Sequence, residues 1–297
     1  MKITVVGCGH AFSTRNYNQC FMVEETEEGL SRRMLIDFGA KVPYALANLD
    51  IDIRSIDDVY ISHLHGDHIG GLEEMAFSCY DWAGHPRHYS ERREEVKAPR
   101  LIANVQLLND LWKKSLRGGL ESMEGFDANL DTYFEPFGLR PNKTFTWQGW
   151  TCRLIQQVHI MTGSIISHTF GLMMSQEGRE TVYFTTDSQH CSPRQIENFY
   201  READIIFQDC ECVGVDMEQR HLDFMSGVHA NYAQLGAWKS ANSIDVGSDI
   251  RGKMWLSHYQ DFVSENKDYR GNSCAWQERA VEDGFRGFAE VGQELIV

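Results

Sequence analysis

No stretch of this 297-residue chain approaches the roughly 18–20 consecutive apolar residues of a membrane span. The apolar opening Met1–Val6 is interrupted at once by Gly7, Gly9 and His10, which a signal-peptide core would not tolerate. The eight cysteines show no framework spacing, and the Cys-x-Cys pair Cys210 and Cys212 has no second pair to accompany it. These absences speak against a membrane protein, a disulfide scaffold and a structural zinc site. They favour reduced thiols in a cytoplasmic protein. Positive charge is scarce too: 28 Lys and Arg against 43 Asp and Glu leave a net charge of −15. A long nucleic acid is normally held by a basic face, because phosphate neutralisation supplies most of its non-specific affinity. RNA or DNA is therefore not the expected partner.

The one basic concentration comprises Arg87, Arg92, Arg93, Lys97, Arg100, Lys113, Lys114 and Arg117, interleaved with Glu91, Glu94, Glu95 and Asp110. It reads first as a solvated helix of mixed charge, and second as a place for an anionic substrate. Length and an ordinary composition, 42% hydrophobic and 24% charged, suit a single α/β domain spanning residues 1–297. Its halves are about 1–146 and 147–297. The segment 85–146 lacks a strand pattern and is expected to be a helical insertion, with Ile102–Leu116 at helical spacing and Gly118-Gly119 ending that helix. In the second half, strands are predicted near 150–160, 168–175, 181–186, 204–208 and 253–257. Helices are predicted at Ser192–Arg201 and around His229–Ala241, the first opened by Ser192-Pro193.

The most informative stretch is His63-Leu-His65-Gly-Asp67-His68. It lies between the strand-like run Asp58–Ser62 and an apolar helix beginning at Ile69, with Gly70 and Gly71 in its first turn. A lone histidine on such a loop reads as a solvated residue. Three histidines and an aspartate within six residues read as metal ligands. Alternate residues of an extended loop project the same way, so His63 and His65 suit one cation while Asp67 and His68 turn toward a second. Imidazole and carboxylate without thiolate suit Zn²⁺ first, with Mn²⁺ or Fe²⁺ as alternatives. Six residues cannot fill two metal shells. The remaining ligands are sought at the C-terminal lips of later apolar strands, where His159, Asp187 and His258 stand.

This set resembles the metallo-β-lactamase superfamily over nearly the whole chain. Val5–Asn16 is similar to the glycine-rich opening turn of its ribonuclease Z-like branch, Met34–Gly39 to its strand-end aspartate motif, and Ala289–Val297 to its closing turn and strand. The resemblance implies a four-layer αββα sandwich with a dinuclear metal site at the sheet edge. It implies His63, His65 and His159 on one ion, Asp67, His68 and His258 on the other, and Asp187 bridging them. Ile205–Glu211 and Gly227–Leu235 resemble the segments of that branch carrying an acid–histidine pair. Carried over, Asp209 orients His229, and protonated His229 stabilises phosphate charge or protonates the leaving oxygen. The chain departs from the pattern in having aspartate where glutamate is more frequent, and Ala230-Asn231 in place of hydroxyl residues.

The expected function is hydrolysis of a small phosphodiester, most of all a cyclic nucleotide, by metal-bound hydroxide, with Asp67 able to accept the water's proton. Several members of the branch have that activity. A tRNA 3′-processing endoribonuclease is the alternative. The long clamp of that family is rich in glycine, proline and basic residues, whereas Leu116–Gly125 has no proline and carries acids. A lactone or other ester hydrolase stands further off. A non-catalytic metal-binding protein is disfavoured by the intact ligand set. The expected cofactors are two divalent metal ions, and the expected assembly is a homodimer.

Overall fold

The computed structural model describes residues 1–80, 98–141, 143–189, 195–211, 228–232, 235, 246–268 and 270–297. In the first half, strands run at Lys2–Gly7 (β1), Cys20–Glu27 (β2), Leu30–Ile36 (β3), Asp58–Ile61 (β4) and Arg100–Asn104 (β5). A small ribbon, Ser122–Met123 (β6) and Phe126–Asp127 (β7), precedes Glu135–Leu139 (β8). The second half contributes Thr144–Trp147 (β9), Trp150–Thr162 (β10), Ile165–Ser175 (β11), Val182–Phe184 (β12) and Ile205–Asp209 (β13). Met254–Ser257 (β14), Gly287–Phe288 (β15) and Glu294–Ile296 (β16) complete the set.

Two seven-stranded sheets result, ordered β16-β1-β2-β3-β4-β5-β8 and β15-β14-β13-β12-β11-β10-β9. Residue alternation shows why they stack. Along β1, β2 and β3, Val5, Phe21, Val23, Met34 and Ile36 enter one core, shared with Leu154, Leu172, Phe184 and Phe207 of the other sheet. The residues between them, Val6, Met22 and Leu35, enter a second core with Val42, Leu46, Leu72 and Met75 of the flanking helices. Strands buried on both faces read as continuous apolar runs, as the inner parts Phe21–Val23 and Met34–Ile36 do. Between the sheets, Phe21 and Phe184 both pack against Phe207, with centroids 4.5 and 5.1 Å away. Such aromatic pairs add about 0.5–1.5 kcal/mol each beyond area burial. The architecture is the αββα sandwich of the metallo-β-lactamase fold.

The middle of the chain departs from expectation. Helices occur there, but β5 and β8 extend the first sheet, β5 pairing with β4 on one side and β8 on the other. Ile102 therefore lies in a strand, and the helix begins at Val105, where the Asn104 side chain accepts from Gln106 N (2.9 Å). Helical structure then continues through Leu120, with Gly118 and Gly119 inside it rather than beyond its end. Gly119 packs against another helix: a Cβ there would sit 2.4 Å from Glu73 Oε1. Of the helix predicted over 192–201, Ile196–Tyr200 is helical and 192–194 lie outside the described residues. Residues 228–232 form a bend and a turn rather than a first helical turn, and most of 233–241 lies outside the described residues. Among the described residues, no helix is long and apolar enough to cross a membrane.

Candidate metal centre

The carboxyl ends of β3, β4, β12, β13 and β14 lie at one edge of the sandwich, and each delivers a polar side chain. His159, expected at a strand end, comes instead from within β10, at a register shift between Val158 and Ile160. The loop after β4 is held by close backbone approach. A Cβ on Gly39 would lie 1.9 Å from Asp67 O, and one on Gly71 would lie 2.7 Å from the Phe38 ring. Phe38 N donates to His68 O (2.7 Å) and Gly71 N to Phe38 O (3.0 Å). The expected single helix is accordingly two pieces, Gly66–Ile69 and Leu72–Cys79, divided at Gly70-Gly71.

Asp37, just past β3, organises the loop. Its backbone is left-handed (φ 65°), an uncommon conformation for a side-chain-bearing residue. Its carboxylate accepts from Ser62 N (2.8 Å), Ser62 Oγ (2.7 Å) and His68 Nδ1 (2.8 Å). Because the Ser62 hydroxyl hydrogen goes to Asp37, its oxygen accepts from His63 Nδ1 at 3.0 Å. His159 Nδ1 donates to Val228 O (2.9 Å). In all three histidines Nδ1 is committed, so Nε2 is the nitrogen turned inward and the one available to a cation.

Those nitrogens, joined by that of His258, meet at Asp187. One carboxylate oxygen lies 3.1 Å from His68 Nε2 and 3.3 Å from His258 Nε2; the other lies 3.6 Å from His159 Nε2 and 3.7 Å from His63 Nε2. His65 Nδ1 is 3.0 Å from His159 Nε2. Asp67 Oδ2 is 3.4 Å from His68 Nε2 and 3.3 Å from His258 Nε2. Three overlapping groups of candidate ligands follow, each gathered within 4.8 Å: His63, His65, His159 and Asp187; Asp67, His68, Asp187 and His258; and Asp187, Asp209, His229 and His258. His63 Nε2, His68 Nε2 and Asp187 Oδ1 are buried without hydrogen-bond partners. A buried polar atom left unmatched costs about 1–3 kcal/mol. A donor set of imidazoles and carboxylates gathered this closely fits divalent cations, which would take the place of the protons that the carboxylates otherwise keep on His68 and His258.

The pair Asp209 and His229 adjoins this cluster. His229 Nδ1 lies 3.0 Å from Asp209 Oδ2 and its Nε2 3.2 Å from Glu211 Oε2. Its ring stacks on that of His258 (4.7 Å, 25°). Burial alone would depress its pKa, but Asp209 and Asp187 outweigh it and lift the imidazolium to about 10. Asp209 also accepts from Ser188 N (2.8 Å), which fixes the loop carrying Asp187. Burial pushes the His159 imidazole down to about 4. Burial acts the same way on His68, yet Asp187, Asp37 and Asp67 raise it well above its ordinary value.

All nine residues singled out in the sequence thus lie at this edge. Two partners carried no assigned role there. Asp37 sat inside a quoted motif, and Glu211 ended the run that supplied Asp209. Their function is set by contacts across the fold rather than by local pattern. Of the basic segment, Arg87, Arg92, Arg93 and Lys97 lie outside the described residues. Arg100 is paired with Asp58 (2.5 Å), Lys114 with Asp110 (2.9 Å) and Arg117 with Glu121 (2.7 Å).

Comparison with known proteins gives this edge a context. The family model described as Anti-Pycsar protein Apyc1 matches residues 1–293. A relative of that description from Paenibacillus xerothermodurans is 33% identical over 268 residues, 89% of this chain and 90% of its own length. Another, from Bacillus phage vB_BveM-Goe7, is 28% identical over 301 residues, covering 100% of this chain and 98% of its own. Among solved structures, Zn²⁺-bound PqqB from Methylobacterium extorquens superposes with a TM-score of 0.68 at 14% identity, covering 100% of both chains.

Proposed function

The chain belongs to the Anti-Pycsar protein Apyc1 family, and from that membership we propose that it is a metal-dependent phosphodiesterase whose substrate is a small cyclic nucleotide. The observation carrying the reading is the Asp209–His229 pair set against the Asp187 cluster, which puts an imidazolium beside two sets of cation ligands. In this reading His63, His65 and His159 hold one divalent ion, Asp67, His68 and His258 hold a second, and Asp187 serves both. Zn²⁺ suits the donors best. Bound there, such ions supply Lewis acidity and a water whose pKa falls toward neutrality.

The chain's own groups do the rest. His68 and His258 hold the Asp67 carboxyl far below its ordinary range despite its burial, so it stays an anion, suited to holding a cation and to orienting a water by accepting its hydrogen bond. His229, kept cationic by Asp209, is the proton source for the departing alkoxide, a poor leaving group at neutral pH. A small substrate accords with the charge of −15 and with three described basic residues already paired. No disulfide joins the described cysteines, in keeping with a reducing, cytoplasmic setting. The purified protein, assayed on cyclic nucleotides, a tRNA precursor and a chromogenic diester, should open the cyclic nucleotides. Cleavage of the precursor at its 3′ trailer in preference to them would replace this reading with the endoribonuclease.

A further inference from the structure

The loop joining β1 to β2 turns sharply beside the cluster. Ser13 N donates to His10 O (3.0 Å), closing a tight turn in which Phe12 holds the third position. Glycine and small polar residues dominate turns. Here a phenyl ring stands out into solvent, 82% exposed.

The loop that carries it is firmly held. The Asp261 carboxylate accepts from the backbone N–H groups of Thr14 (2.8 Å), Arg15 (3.3 Å) and Asn16 (3.4 Å). Ser13 Oγ donates to Tyr259 O (3.2 Å), and Lys41 Nζ reaches Ala11 O (3.0 Å) and Ser13 O. Phe12 N itself donates to His10 Nδ1 (3.2 Å). The phenyl meets the His10 ring edge to face (5.6 Å, 73°), and the His10 ring lies 6.4 Å from that of His258. A flat apolar surface is thus fixed in direction, bare to solvent, and two ring steps from the cation ligands. That separation suits a ligand with an anionic group at one end and an aromatic ring at the other.

We propose that Phe12 is the platform on which the nucleobase of the substrate stacks, with His10 setting the tilt of the ring. The proposal rests on the phosphodiesterase reading above. With the phosphate at the Asp187 cluster, the base lies over the phenyl face and removes it from water, which an exposed ring on a yielding loop would do far less effectively.

The test compares two substrates on the intact, metal-loaded protein: a 3′,5′-cyclic nucleotide, and the 3′,5′-cyclic phosphate of 1-deoxyribose, which has no base. Phe12→Ala should lower the ratio of kcat/KM for the nucleotide over that for the base-less compound by about 10-fold or more, the size of one lost base–aromatic stack. Phe12→Trp should restore the ratio. A ratio unchanged in Phe12→Ala, while wild type cleaves both compounds, overturns the stacking role and leaves the phosphodiesterase reading standing. An altered oligomeric state with an unchanged ratio would assign Phe12 to a contact between copies and likewise overturn it. A wild type that cleaves neither compound removes both.

Discussion

His229 is held at both ring nitrogens by carboxylates, and that arrangement makes its role separable from metal binding. His229→Ala should leave metal content and melting temperature close to wild type. It should lower turnover of a diester with an alkoxide leaving group by about 10²-fold or more, the usual size of general acid catalysis. A nitrophenolate departs without a proton, so turnover of that substrate should fall much less. Equal losses on the two would mean that His229 only positions phosphate. Asp37 acts one atom further back, through the Nδ1 hydrogen of His68 and the hydroxyl of Ser62. Asp37→Asn keeps the shape but can turn its amide N–H₂ toward His68. Metal affinity should fall about 10–100-fold, as for other residues that orient a ligand. Unchanged affinity in a competition titration would show that the histidine is oriented without it.

The turn carrying Phe12 shows how a single carboxylate governs a loop. Burial raises the Asp261 carboxyl, but the N–H groups of Thr14, Arg15 and Asn16 outweigh burial and hold it below its ordinary value. A carboxyl depressed in the folded state adds stability above its unfolded pKa of about 3.9, and that stability is lost as pH falls through the lower folded value. Exchange protection of the Thr14, Arg15 and Asn16 amides should therefore hold from neutrality down to about pH 4 and collapse only below it. Asp261→Ala should lose that protection at every pH. Loss of wild-type protection between pH 6 and 7 would point to a histidine instead.

The strands show what can be read from local pattern and what cannot. β10, β12 and β14 are continuous or alternating apolar runs, and Asp187 and His258 follow theirs closely, so both were legible; His159 was found as the close of an alternating run, although β10 continues past it to Thr162. β5 was not. Its buried core, Leu101–Ala103, is short and runs straight into helical spacing, and a fully buried strand cannot be told from a helix by periodicity alone. β8 includes Pro136 and Gly138, which argue against a strand until its place is known. It lies at the margin of the first sheet, where proline is tolerated. The contacts of Asp37 with His68 and of Glu211 with His229 arise from packing between distant segments, and nothing in the local sequence announces them.

Cation ligands come from both ends of the chain: His63 to His68 from one half, His159 to His258 from the other. Cations bound there would tie the two sheets together at their shared edge. Removing them leaves buried imidazoles and carboxylates facing one another unmatched. Exhaustive chelation should therefore lower the melting temperature as well as abolish activity. A site held at 100 times its Kd contributes about 2.7 kcal/mol to the folded state. Elemental analysis should find close to two ions per chain in active protein. Full activity with a single ion, or an unaltered melting temperature after complete removal, would contradict the two-ion arrangement.

The final strand of the chain does not stay with its half. β15 closes the second sheet, but after the turn at Gly292 β16 crosses over and pairs with β1, Lys2 opposite Ile296. A chain divided between β8 and β9 would accordingly yield two dependent fragments. The first would show the bare margin of β1, open to pairing with other molecules, and the second would carry a loose β16 with no mate. Neither would hold a full complement of ligands. Supplied together, the fragments become complements, each bringing the strand or the side chains that the other is missing. Recovered hydrolysis would then report that the two pieces had found each other.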